Sequence, residues 1–166
     1  MFELKSLHPE GINRSLEKAE RYRLLNEPEE AESICLDILA IAYDHQQALI
    51  TLLLALTDQF PNGPADCVRR AQEVIPQLEG AYEQAYYAGI ICERRASARL
   101  ATRSPGAETV AYDLYRQAMQ LYERAEELSA FGNEDARLRW NTCARQIMRH
   151  KLVPAVEEAR EPILSE

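Results

Sequence analysis

Arg95, Arg99 and Arg103 recur every four residues, with Arg94 beside the first. Arg137, Asn141 and Arg145 recur at the same interval further along and flank Trp140. On a helix, that interval puts each set on one face. A guanidinium presents a planar fork that pairs bidentately with a carboxylate, so such rows suit recognition of acidic groups. The competing expectation is a solvated helix surface, where arginines pair with nearby glutamates or favour a helix C-terminus.

Other reactive types are scattered. His8 and His45 fall at helix starts and His150 at a helix end, positions common for solvated or capping histidines. Cys35, Cys67, Cys92 and Cys143 stand far apart among apolar neighbours, with no C-x-x-C. They read as buried thiols acting as small hydrophobes rather than as disulfides or a metal site. Cys143 and His150 could share a helix face, but two groups do not make a zinc site. No Glu-x-x-His and no phosphate-cradling Gly-rich loop occurs. Acidic runs such as Glu27–Glu30 and Glu126–Glu127 read as helix-surface charge. The expectation is no catalytic residue, no metal and no cofactor.

The elements that carry these residues follow from periodicity. Ile12, Leu16, Ala19, Tyr22 and Leu25 mark one helix face, with Asn26 as a left-handed stop and Pro28 opening the next helix. Ala31, Ile34, Cys35, Ile38 and Leu39 face inward on the second helix, to about Ile41. Asp44 is the candidate N-cap of a third, which carries Leu49, Leu52, Leu53 and Leu56 and is apolar nearly all round, so it belongs mid-stack. After Pro61–Pro64, Cys67, Ala71, Val74 and Leu78 mark a fourth that Pro76 kinks or ends. A fifth, from near Gly80, carries Tyr82, Tyr86, Gly89 and Cys92; its small residues predict close approach of another helix. Ala111, Leu114, Tyr115, Ala118, Leu121 and Tyr122 mark a sixth. Asn133 caps a seventh, with Ala136, Trp140, Cys143 and Ile147 inward.

Ala19, Tyr22, Ala31 and Cys35 then Ile38 keep a spacing that resembles the tetratricopeptide repeat, a unit of two antiparallel helices in about 34 residues. Ala55, Cys67, Ala71 and Val74 repeat it loosely, and Ala111, Tyr115 and Ala118 repeat its second-helix triplet, with Gly89 as first-helix partner. The Gly89 gap is too long by about ten residues, which predicts an extended fifth helix or loop. Cys35 stands where a ring is usual, and Tyr43 where proline is usual.

The resemblance implies an all-α, right-handed superhelix of about three degenerate repeats plus a capping helix. It implies a single domain over 1–153 and a charged tail over 154–166. It also implies that the first helix of each pair lines a concave groove for a partner peptide or helix. Carried onto this chain, Arg94, Arg95, Arg137, Asn141 and Arg145 would clamp an acidic or C-terminal carboxylate group, with Tyr87 as an apolar wall.

The expected role is a non-enzymatic adaptor or chaperone-like module. A self-associating helical subunit, for instance a homodimer, is the alternative, and a helical enzyme of unrecognised type comes third. The net charge of −8 disfavours non-specific binding to nucleic acid or anionic membranes. No apolar leader opens the sequence, and Ala48–Leu56 is far too short to span a bilayer. The compartment expected is the cytoplasm.

Overall fold

The computed structural model describes residues 1–156. Residues 157–166, most of the expected tail, lie outside the described residues. Among the described residues there are seven α-helices: α1 (Ile12–Leu24), α2 (Pro28–Ile41), α3 (Gln46–Asp58), α4 (Cys67–Val74), α5 (Ala81–Ala101), α6 (Ala107–Leu128) and α7 (Asp135–His150). Short 3-10 turns at Pro9–Gly11 and Ile75–Gln77 lead into α1 and out of α4. No strand is present among the described residues.

The helices stop where local chemistry makes them stop. Asn26 takes φ 60°, and the Glu27 amide donates back to the Tyr22 carbonyl at 2.9 Å, the wrapped end that a left-handed residue allows. Lys151 does the same for α7 at φ 52°, with the Leu152 amide donating to the Ile147 carbonyl at 3.0 Å. That turn carries Leu152 back into the core, where it is buried. Pro76 sits within the 3-10 turn that ends α4. The cap of α3 differs from expectation. His45, not Asp44, is the N-cap, and its Nδ1 accepts from the Ala48 amide at 3.1 Å. An imidazole acceptor can replace the usual carboxylate there because the chain enters α3 extended, at φ −63° and ψ 103°. At α7 the Asn133 carboxamide oxygen accepts from the Asp135 amide at 3.1 Å.

The hairpins are layered in chain order. Each helix packs on the next, and α1 also meets α3, as α3 meets α5. α7 joins this odd-numbered layer through an Arg139–Glu93 bond to α5. Among the even helices, α2 and α4 are joined through the Glu32–Arg70 side-chain pair, but their backbones stay further apart. The backbones of α1, α3 and α5 therefore approach more closely than those of the even helices.

α3 lies in the middle, as its all-round apolarity requires. Ala48, Leu49, Leu52, Leu53, Ala55 and Leu56 are all buried. Each fully buried leucine contributes about 1.5–3 kcal/mol of transfer free energy. Two cores result. One joins α1 to α4 around Cys35, Leu53 and Leu56; the other joins α5 to α7 around Tyr115, Tyr122 and Cys143. Leu54 and Tyr87 pack against both.

Small residues set the closest approaches. A Cβ built on Gly89 would lie 2.6 Å from Cε1 of the buried Tyr122 ring. Hence α5 and α6 can meet here only because position 89 is glycine. The extension expected near Gly89 lies in α5 itself, 21 residues long against 13 for α3.

Candidate functional site

The expected clamp residues fall in separate surroundings. Arg94 reaches across to Asp58 at 3.6 Å, and the same carboxylate accepts from Arg23 Nε at 2.8 Å. Asp58 thus ties the ends of α1 and α3 to the middle of α5 beside a cleft of about 300 Å³ lined also by Asn26, Thr57 and Ser97. Arg95, one residue on, turns to a different cleft, against α4 and α6. Arg137 is exposed and bonded to Glu126 of α6, with Glu134 at 3.0 Å on its other side. Asn141 is half-buried and Arg145 exposed. Tyr87 is half-buried at the junction of the two cores, where burial pushes its phenol up to about 12. Arg94 and Arg137 are engaged with the chain's own carboxylates, and Arg94 and Arg95 face different clefts.

The α7 residue that does meet α5 is Arg139. Its Nη1 donates to Glu93 Oε1 at 3.2 Å, and the other Glu93 oxygen accepts from the Tyr122 hydroxyl at 2.5 Å. Glu93 is only 6% exposed. Burial, followed by the neighbouring carboxylate, holds the Tyr122 phenol far above its ordinary range, so it stays a donor. The network binds three helices and satisfies a buried charge, which would otherwise be costly. A ladder of rings lies beside it: Tyr82 stacks on Tyr86 at 5.6 Å, and Tyr86 meets Tyr87 edge-on at 5.1 Å and Tyr122 at 5.8 Å.

Sequence reasoning passed over Glu93 and Arg139, though each left a trace. Arg139 sits three residues after Ala136 and four before Cys143, inside the buried stripe of α7. Glu93 sits four after Gly89, on the face that meets Tyr122. Opposite charges on two inward stripes are the legible sign of such a pair. A similar network joins α2 to α4. Gln59 is buried, and its amide donates to Glu32 at 2.7 Å; Glu32 in turn pairs with Arg70.

Cys35, Cys67 and Cys143 are buried and Cys92 half-buried, all as free thiols. Burial pushes Cys35 and Cys143 up to about 12 and raises Cys67 and Cys92, so none is poised as a nucleophile. Cys143 and His150 lie two turns apart along α7, Cys143 buried in the core and His150 exposed at the helix end. Among the described residues, no three His, Cys, Asp or Glu side chains are grouped to hold a metal ion. Every buried side-chain polar atom among them has a partner. No helix among them is long and apolar enough to cross a membrane.

No protein-family model, curated protein or solved structure matches the chain.

Proposed function

We propose that the chain is a tetratricopeptide-like scaffold that binds a segment of another protein along its odd-helix layer and carries out no chemistry of its own. The observation that supports this reading most directly is the asymmetry of the stack. α1, α3 and α5 pack backbone to backbone in succession, whereas α2 and α4 are joined through the Glu32–Arg70 side-chain pair and their backbones stay further apart. A stack whose hairpins are closer on one side curves toward that side, and the odd helices then line its inner face. Ile50, Leu54 and Tyr87 stand partly exposed there, with the Arg23–Asp58–Arg94 network at one edge. Half-buried aliphatic and aromatic side chains beside fixed charges suit a peptide or helix. The buried polar groups are already occupied by one another, which supports binding over catalysis.

A photo-crosslinking residue at Gln47, on the exposed side of α3, tests the reading in cells of the source organism. The expected result is a discrete adduct from Gln47 and none from matched probes at Ser33 of α2 or Gln120 of α6. Adducts from the even-helix probes alone, or no adduct at all from Gln47, would overturn it.

A second reading, self-association, rests on α1. Ala19 is its one fully buried residue, and Leu24 and Leu25 at its end are 88% and 61% exposed. An end helix with an apolar rim is what a second copy would cover. Sedimentation equilibrium at micromolar concentration decides: a monomer removes this role.

A further inference from the structure

Asp58 is the last residue of α3, and it faces Arg94. Residues 95–101 of α5 therefore run beyond the end of α3, by about 10 Å at 1.5 Å per residue. α4 is only 8 residues long and does not follow them. What reaches the overhang is the connecting loop, through Phe60 and Pro61, and Val68 from the first turn of α4. A cleft of about 290 Å³ is left between that loop and the α5–α6 hairpin. Its floor is Phe60, Val68 and Leu114, and its edge is Arg95 and Arg99. Val110 is 40% exposed, an apolar side chain at the mouth of the cleft with nothing over it.

The charge at this edge is distinctive. Arg95 and Arg99 follow one another at about 6 Å along α5, and Arg103 lies just past its end, at φ 50° and beside a different cleft. None of the ion pairs among the described residues uses any of the three. The spacing of Arg95 and Arg99 is shorter than the Debye length of about 8 Å at physiological salt, so their fields add. The chain as a whole carries −8. A positive edge on an acidic protein favours a short anionic segment over a long polyanion, which the rest of the surface repels. The apolar floor asks for a side chain that nucleic acid does not have.

We infer that this overhang docks an acidic segment of a partner protein, in which one apolar side chain enters the cleft and flanking carboxylates pair with Arg95 and Arg99. The inference rests on the scaffold reading but places a contact away from the inner face, on the side of α5 that meets α6 and the loop before α4. Its chemistry is arginine-carboxylate pairing around an apolar anchor.

The test uses a capped, fluorescent peptide with a central Leu flanked on each side by two Glu, titrated into the full chain and followed by anisotropy and amide chemical shifts. Shifts are expected at Arg95, Arg99, Thr102 and Val110, with binding weakened roughly fivefold between about 50 and 200 mM salt as the exposed charges are screened. Arg95→Glu with Arg99→Glu should lose roughly tenfold or more, because both contacts turn from attraction to repulsion. Val110→Arg is the discriminating variant. It adds positive charge but fills the cleft, so docking predicts weaker binding and bare charge attraction predicts stronger. Replacing the peptide's Leu by Gly, or its Glu by Gln, tests the same two contacts without touching the protein. Absent binding, shifts elsewhere, tighter binding by Val110→Arg, or tighter binding of an oligothymidylate at the same amides would each overturn the inference. Crosslinking from Gln47 in the Arg95→Glu, Arg99→Glu chain reports separately on the scaffold reading.

Discussion

Gly89→Ala should be damaging, although alanine is the better helix former by about 0.8–1.0 kcal/mol. The added Cβ would sit 2.6 Å from Cε1 and 2.8 Å from Cδ1 of Tyr122. That ring is fully buried, and it is held at its far end, where its hydroxyl donates to Glu93 at 2.5 Å. It cannot swing aside without breaking that bond. Overpacking costs about 1–3 kcal/mol, and a weakened bond to a buried carboxylate adds about 1.5–3 kcal/mol. Net of the helix gain, the expected loss is about 1.5–5 kcal/mol, or roughly 3–20 °C in Tm for a chain of this size. Denaturant melts of Gly89→Ala, Tyr122→Ala and the double variant form a cycle that isolates the clash. With the ring removed, Gly89→Ala should become neutral or mildly stabilising. A single Gly89→Ala variant as stable as the parent would refute the reasoning, because α5 and α6 would then not meet as closely as described.

Other perturbations reach separate parts of the fold. Arg139→Ala leaves Glu93 buried beside Tyr122 without its cation and should cost about 2–3 kcal/mol, the lower side of the range for broken buried pairs because Arg139 is 32% exposed; Glu93→Gln with Arg139→Met should recover part of that loss in the same melts. Stability should fall as pH rises above 9, because Cys35 and Cys143 lose their protons near 9.0 when unfolded but only near 12 when folded. The unfolded chain binds fewer protons across that window, so denaturant midpoints at pH 8, 9 and 10 should decline in order, by at most about 1.4 kcal/mol per unit per thiol. Asn26→Val places a β-branched residue at φ 60° and should cost about 1–2 kcal/mol, whereas Asn26→Gly should not destabilise, both read by thermal melts.

Architecture was written in the chain more plainly than the binding surface. The stop at Asn26, the break at Pro76, the inward faces of α2 and α6 and the central place of α3 follow from periodicity and from residues with restricted backbones. Gly89 announced a close contact without naming Tyr122 as its partner. The arginine rows were only half legible, because spacing fixes a helix face but not what lies opposite. Arg94 found Asp58 from a helix some 36 residues earlier, and Arg137 found Glu126 across a turn. Arg139 and Glu93 were hidden for the same reason: a charge on an apolar stripe reads as noise until its opposite number is known. The cap of α3 slipped by one position because histidine is a rare acceptor there, and nothing local separates His45 from Asp44.

Leu54 and Tyr87 pack against both cores, and with the buried Ile91 of α5 and the Asp58–Arg94 pair they contribute to the seam between the first four helices and the last three. A linear stack melts as one body only while every junction is stronger than the blocks on either side. Weakening this seam should therefore divide one cooperative transition into two. Leu54→Ala would then show a broadened calorimetric peak, with the N-terminal and C-terminal blocks exchanging their amide protons at different rates.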